Sequence, residues 1–156
     1  MSIIKTKGST LLEVVVVTGI LASITLAVLG TLSLLSRFHQ KDMLTIKGEL
    51  LAEEGIEALR FIKASGWNSL SAIPSGQTKY LSLGVSSWSV TDTPEVIDGA
   101  FWRSVRVLQV MRDSSDDIVP SGGTIDPNTL LLESSVSWNW RDATSTAEYQ
   151  AYITNL

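Results

Sequence analysis

Hydrophobic residues run from Val14 to Leu35 without a single charge, close to the start of the chain. A helix needs about 20 apolar residues to cross a bilayer, so this run is long enough for one transmembrane helix. Glu13 precedes the run directly and lies within the apolar segment rather than beside it. A carboxylate at such a depth is costly in a membrane, and we therefore expect Glu13 to have a partner.

Beyond the apolar run the pattern becomes that of an amphipathic helix, which we expect to end at Gly66. Small and apolar residues recur on one side at helical spacing, which predicts a stripe buried against a folded domain. A helix from Ser9 to Lys63 would be about 80 Å long, at about 1.5 Å per residue. The predicted stripe is Leu44, Gly48, Leu51, Gly55, Ala58, Leu59 and Ile62, with Asp42, Glu49, Glu53, Glu57 and Arg60 opposite.

A second apolar group, Met43, Ile46 and Leu50, projects from a different side of the same predicted helix. Two interpretations are open. The group either widens the surface that faces the core, which we favour, or contacts a helix of a neighbouring molecule.

The pattern changes to strands and turns from Trp67 onward. The clearest strand, between Leu130 and Trp140, alternates apolar with polar side chains, which predicts one buried face. Residues typical of turns separate the strands. We therefore predict an α+β fold in which an antiparallel sheet packs on the long helix. The predicted strands are Tyr80 to Leu83, Val85 to Val90, Phe101 to Arg112, Leu130 to Trp140 and Glu148 to Ile153, and the predicted turns are Asp98-Gly99, Ser121-Gly122-Gly123, Asp126-Pro127-Asn128 and Arg141 to Thr146.

The residues before the apolar run carry two lysines, Lys5 and Lys7. Basic flanks stay in the cytoplasm, so we expect the rest of the chain to lie outside the cytoplasmic membrane. A secretory signal has a shorter apolar core, followed by a cleavage site with small residues. Here the small residue Gly8 stands before the apolar run, which disfavours an ordinary signal peptide.

Gly8, the following Ser9-Thr10-Leu11-Leu12-Glu13 and the uncharged helix resemble the N-terminal motif of type IV prepilins and pseudopilins. In that family a membrane aspartyl peptidase cuts after the glycine and methylates the new N-terminal amine. The resemblance implies that Gly8 precedes the cut, that Ser9 becomes the first mature residue, and that Glu13 is the family's glutamate. Ser9 departs from the phenylalanine that is most common at this position.

The resemblance implies a pilin-like fold, with a long N-terminal helix packed on a C-terminal antiparallel sheet. The implied divisions are a leader at 1–8, a membrane-spanning or filament-core half of the helix at 9–36, an amphipathic half at 37–65 and a sheet domain at 66–156. The segment from Ala52 to Ala58, followed by strands with tryptophan, is most similar to minor pilins of the PilV or pseudopilin I kind.

The implied function is that of a structural subunit of a type IV pilus, a pseudopilus or a competence filament, and we expect a minor subunit. The implied partners are the prepilin peptidase, other pilin subunits, the assembly platform of the inner membrane and the membrane itself. The alternative is a single-pass, membrane-anchored extracellular binding domain that does not assemble. Adhesion, DNA uptake, secretion and motility all remain open as tasks of the filament, because these systems share one subunit design.

The need of Glu13 for a charged partner is consistent with assembly into a filament. In a bundle of staggered parallel helices, the mature α-amine of one subunit can lie beside the glutamate of its neighbour. Either charge alone in that low-dielectric core would cost several kcal/mol. In the alternative interpretation, Glu13 lies near the membrane interface and its carboxylate reaches the lipid headgroups.

Composition excludes several other functions. The chain has 156 residues, a formal charge of −4 and no cysteine, which excludes disulfides, thiolate metal sites and a thiol nucleophile. A nucleic-acid binder normally has a basic excess, so we expect no nucleic-acid partner. A DNA clamp built from Trp102 and the arginines of its strand is less favoured than an ordinary exposed strand, because Arg103 and Arg106 point to opposite faces.

Three acidic residues, Asp113, Asp116 and Asp117, are weak candidates for a Ca²⁺ site, since Ca²⁺ takes six to eight oxygen ligands. Acidic residues are ordinary in turns, so we expect no metal and no cofactor. His39 has no serine and carboxylate arranged around it for a hydrolase triad, and we do not expect an enzyme.

Overall fold

The apolar and amphipathic segments form one helix, α1 (Lys7–Ala64), of 58 residues. The computed structural model describes residues 7–85 and 87–155, with side chains from Leu11 onward. The chain divides into two compact units, Met1–Asp42 and Met43–Leu156. The first unit holds the apolar part of α1. The second holds the rest of α1 and every strand among the described residues.

The second unit combines the amphipathic part of α1 with antiparallel sheets, so the α+β expectation is confirmed. A short helix, α2 (Asn68–Ser71), and a two-stranded sheet of β1 (Tyr80–Leu83) and β2 (Trp88–Thr91) follow α1. The larger sheet has the order β3-β4-β6-β7, with β5 paired to the far end of β4. Its strands are β3 (Val96–Ile97), β4 (Phe101–Arg112), β5 (Ile118–Val119), β6 (Thr124–Trp140) and β7 (Ala143–Thr154).

Alternating side chains of β4 and β6 face α1 and form the core. One hydrophobic cluster joins the C-terminal turns of α1 to the middle of the sheet, with Leu59 and Leu132 fully buried. The other joins Ala52 to Phe101, Val136 and Trp138, where the rings of Phe101 and Trp138 lie 5.9 Å apart. The predicted helical stripe therefore faces the sheet, as the period of 3.6 requires.

Two glycines of α1 allow the helix to approach the sheet closely. A Cβ atom at Gly48 would overlap the ring of Trp138, and one at Gly55 would overlap the hydroxyl of Ser134. Ser134 is fully buried, and its Oγ has no hydrogen-bond partner among the described residues. The contact between helix and sheet at Gly55 is thus tight and contains an unpaired polar atom.

We predict that Gly55→Ala lowers the free energy of unfolding by about 1–2 kcal/mol, because overpacking outweighs the gain in helix propensity. Ser134→Ala should instead raise it by about 1 kcal/mol, since a buried hydroxyl without a partner is removed. The double variant should recover most of the loss, because the clashing oxygen is gone. Urea unfolding of the full chain in detergent, followed by tryptophan fluorescence, measures all three; additive effects would contradict the contact.

Several predicted elements need correction. Asp126-Pro127-Asn128 is not a turn, because these residues lie within β6. Gln109 of β4 pairs with Leu130 and the next residue, Val110, pairs with Asp126, so the residues between Asp126 and Leu130 form a bulge. Such a bulge accommodates a proline that cannot donate to the ladder. The predicted polar turn from Arg141 to Thr146 is also too long, because Trp140 pairs with Ala143 and only Arg141 and Asp142 connect the strands.

Other boundaries shift less. Predicted strands β1 and β4 have the observed bounds, whereas β2 begins at Trp88 instead of Val85.

The turn at Asp98-Gly99 is confirmed, with φ of 50° and 68° at its two residues and a hydrogen bond from Ala100 N to Ile97 O. Two residues in succession with positive φ are typical of a tight hairpin turn.

The favoured interpretation of the second apolar group is wrong. Met43, Ile46 and Leu50 are each more than half exposed. Ala52 and Ile56, which were outside the predicted stripe, are buried in addition to it. The core-facing stripe is therefore wider than predicted, and a separate apolar surface of the helix remains exposed.

Candidate functional site

The predicted processing and assembly residues lie in the first turns of α1. Gly8 and Ser9 have helical backbone, while the leader residues 1–6, including Lys5, lie outside the described residues. Glu13 follows Ser9 by four residues, which places the two on the same face of the helix about 6 Å apart along its axis. The predicted cut between Gly8 and Ser9 would thus leave a helical N-terminus one turn before the glutamate.

The apolar part of α1 presents its side chains to the surroundings on all sides. Every described residue from Leu11 to Asp42 is exposed, and α1 is long and apolar enough to cross a membrane. Four of its hydroxyl groups are satisfied within the helix: those of Thr18, Ser23, Thr25 and Thr31 donate to backbone carbonyl groups one turn earlier, at 2.7–2.9 Å. A helix whose polar groups pair internally is compatible with hydrocarbon.

Glu13 is a charged residue on this surface and directly precedes the uncharged run from Val14 to Leu35. Its side chain is exposed and, within the part of the chain that the structure describes, forms no hydrogen bond or ion pair. An isolated carboxylate in a low-dielectric environment is unfavourable, so its environment must supply a cation or water.

The three arginines of β4 are all paired with carboxylates. Arg106 Nη2 lies 2.7 Å from Glu133, and Arg112 Nε lies 2.7 Å from Asp126. Arg103 faces the core, with only 5% of its side chain exposed, and its Nη1 donates to Glu54 at 2.7 Å. The exposed-strand interpretation is therefore wrong for Arg103, and the arginines do not form a free cationic row.

Arg103 links the helix to the sheet between the two hydrophobic clusters. Besides Glu54, its guanidinium lies over the ring of Trp88, 5.1 Å from the centroid. A buried guanidinium that is paired and stacked is tolerated, whereas an unpaired one would be strongly destabilising. Arg103 is thus part of the fold and not of a binding surface.

The acidic loop after β4 is organised by its own hydrogen bonds. The carboxylate of Asp113 accepts from the backbone N–H of Ser115 and of Asp117, at 2.8 and 3.1 Å. Arg112 donates to the backbone oxygen of Asp116 at 2.7 Å. Among the described residues, no group of three or more acidic, histidine or cysteine side chains is placed to hold a metal ion.

Arg112 also fixes the charge of Asp126. The hydrogen bond from Arg112, supported by Thr129 and the backbone of Asn128, lowers the pKa of Asp126 from its ordinary value of 3.8 to about 2. The same pairing raises the pKa of Arg112. Folding therefore favours the charged carboxylate, and its contribution to stability is present above about pH 4 and lost as the pH falls toward 2.

We predict that Asp126→Asn lowers the urea midpoint at pH 7 and makes the protein lose less stability between pH 5 and about pH 2 than the wild type does. Urea unfolding at a series of pH values, in detergent, measures this. Asp142→Asn, in the exposed turn between β6 and β7, is the matched control and should retain the wild-type profile. Parallel acid profiles for Asp126→Asn and wild type would contradict the role of the Arg112–Asp126 pair.

No protein-family model, no curated protein and no solved structure matches this chain.

Proposed function

We propose that this chain is a structural, and specifically a minor, subunit of a type IV pilus, pseudopilus or competence filament. A prepilin peptidase cleaves it after Gly8, and the mature chain assembles through α1. The observation that carries the proposal is the position of Glu13, an exposed carboxylate four residues after Ser9 at the start of an uncharged helical surface.

The exposed surface of α1 supports assembly. Leu11, Leu21 and Leu35 are each more than half exposed, and so are most of the large apolar residues between them. Such a surface requires an apolar environment, at about 25 cal/mol for each Å² removed from water. The membrane provides that environment before assembly, and the helices of neighbouring subunits provide it afterwards.

Glu13 distinguishes a filament helix from a simple anchor. A plain anchor gains nothing from a carboxylate within its apolar surface. In a filament, the α-amine of Ser9 on the next subunit pairs with that carboxylate, and both charges become satisfied in the core. The pairing also sets the axial position of one subunit against the next.

The experiment that tests this function separates assembled filaments, sheared from the cell surface or released from the periplasm, from membranes of cells that produce the chain. The proposal expects mature chain both in the membranes and in one of the two filament fractions. A chain confined to the membrane fraction would favour the alternative, an anchored binding domain. Unsheared cells are the control for release by lysis.

A further inference from the structure

β7 forms an edge of the larger sheet, and the outer side of this strand is open. At the opposite edge, β4 is covered by β3 at one end, by β5 at the other and by a bridge between Lys79 and Val105 in its middle. On the outer side of β7, the described residues make one hydrogen bond to the backbone, and it comes from a side chain: Lys63 Nζ donates to Thr154 O at 2.8 Å. The two edges therefore differ, and β7 is the available one.

The pairing of β7 with β6 shows which backbone groups point outward. Asn155 N donates to Asn128 O at 2.9 Å, directly beyond the register pair of Thr129 and Thr154. Hydrogen-bonded and non-bonded pairs alternate along an antiparallel ladder, so odd-numbered residues of β7 bond to β6 and even-numbered residues point away. The residues with outward N–H and C=O groups in the middle of β7 are Thr146, Glu148, Gln150 and Tyr152.

This edge lacks the usual protection against strand addition. Exposed edges are normally blocked by proline, by lysine, by bulges or by being very short. β7 has twelve residues in continuous register with β6, contains no proline, glycine or basic residue, and carries Glu148 as its one charge. An unprotected edge of this length is a template for another strand.

A groove runs between this edge and α1. Its apolar lining includes Ile46, Leu50 and Tyr149, of which 53%, 59% and 48% is exposed. Two carboxylates from successive turns of α1, Glu49 and Glu53, also line the groove, which has a volume of about 380 Å³. The groove therefore joins an apolar floor to an acidic wall, directly beside the open backbone of β7.

We propose that β7 and this groove bind an extended segment of a different protein, which adds a strand to the sheet and points lysine or arginine side chains toward α1. The long aliphatic stems of these side chains cover the apolar floor, and their cations reach the two carboxylates. Two basic residues spaced by two on a strand lie about 6.7 Å apart, close to the rise of about 6 Å between Glu49 and Glu53.

A second copy of this chain fits the groove less well. β7 has no lysine or arginine to offer to the acidic wall of a partner copy. A symmetric β7–β7 pair would therefore leave both grooves without cations. This inference concerns the second unit alone, so it stands or fails independently of filament assembly.

The test uses a fluorescently labelled peptide, Thr-Val-Thr-Lys-Thr-Lys-Thr, titrated with the full chain in detergent and followed by anisotropy. We expect saturable binding, which weakens about tenfold for Glu49→Gln/Glu53→Gln at low salt. Gln150→Pro removes an outward N–H without removing a bond to β6 and should also weaken binding about tenfold. Gln150→Thr, which loses the same contact with Glu133, is the matched control and should bind like wild type.

A second peptide keeps the test valid if Gln150→Pro does not fold. This peptide is N-methylated at the alternate residues whose N–H groups would face β7. It retains its charges and most of its apolar surface but loses the donors along that edge. It should bind wild type about tenfold more weakly. Three results would each overturn the proposal. The two peptides could bind equally, wild type could fail to bind the first peptide, or the chain could pair with itself through β7 in a concentration-dependent way that excludes the peptide.

Discussion

Gly8→Val is expected to leave the chain uncleaved, with the leader residues 1–8 still attached to the membrane-bound protein. The reason is steric: in the proposed reaction the peptidase accepts the backbone at the residue before the cut, and a branched side chain at this position obstructs it. The measurement is the mobility of the membrane-bound chain on a high-resolution gel, with and without the prepilin peptidase. We expect essentially complete loss of the processed form.

Gly19→Val is the matched control, because it makes the same change in the same helix away from the cut. Beyond its chain neighbours and the adjacent helix backbone, a Cβ at Gly19 would meet no atom within 4 Å, so no packed segment opposes a side chain there. It should be processed like wild type. Normal maturation of Gly8→Val would count directly against the prepilin assignment.

The second large effect is expected for Glu13→Leu. This substitution removes the charge and keeps the segment apolar, so membrane insertion should be retained or improved, by up to a few kcal/mol. Incorporation into filaments should fall steeply, because the α-amine of a neighbouring Ser9 would be buried without a partner, at a cost of several kcal/mol. The measurement compares the chain in the membrane fraction with the chain in the sheared-filament fraction.

Two control variants separate the causes. Val14→Leu changes the adjacent apolar residue and should assemble like wild type, whereas Glu13→Gln tests whether a neutral hydrogen-bonding group is sufficient. If Glu13 only reached lipid headgroups, membrane placement would change and assembly would not. Equal amounts of Glu13→Leu and wild type in purified filaments would exclude the pairing role.

Much of the fold follows from local patterns in the sequence. The period of 3.6 in α1 and the period of two in β6 each identify a buried face, because each depends only on neighbouring residues. Turn chemistry located Asp98-Gly99 for the same reason. It failed at Asp126-Pro127-Asn128, where a bulge in a long strand uses the same residue types as a turn.

The contacts between distant segments could not be predicted in the same way. Alternation with Phe101 and Val105 does place Arg103 on the buried face of β4, but its partner Glu54 lies 49 residues earlier and carries no local signal. The open edge of β7 is equally non-local, because it depends on the strand order of the whole sheet. The candidate processing and assembly residues came from the N-terminal motif alone.

The proposed function is tested most directly by the intact mass and N-terminal sequence of the chain purified from the membranes of cells that contain the peptidase. Cleavage after Gly8 and methylation predict a chain that begins at Ser9, lacks both leader lysines, and carries one added methyl group on its α-amine. A chain that still begins at Met1 would contradict the prepilin assignment and favour a membrane-anchored domain that does not assemble.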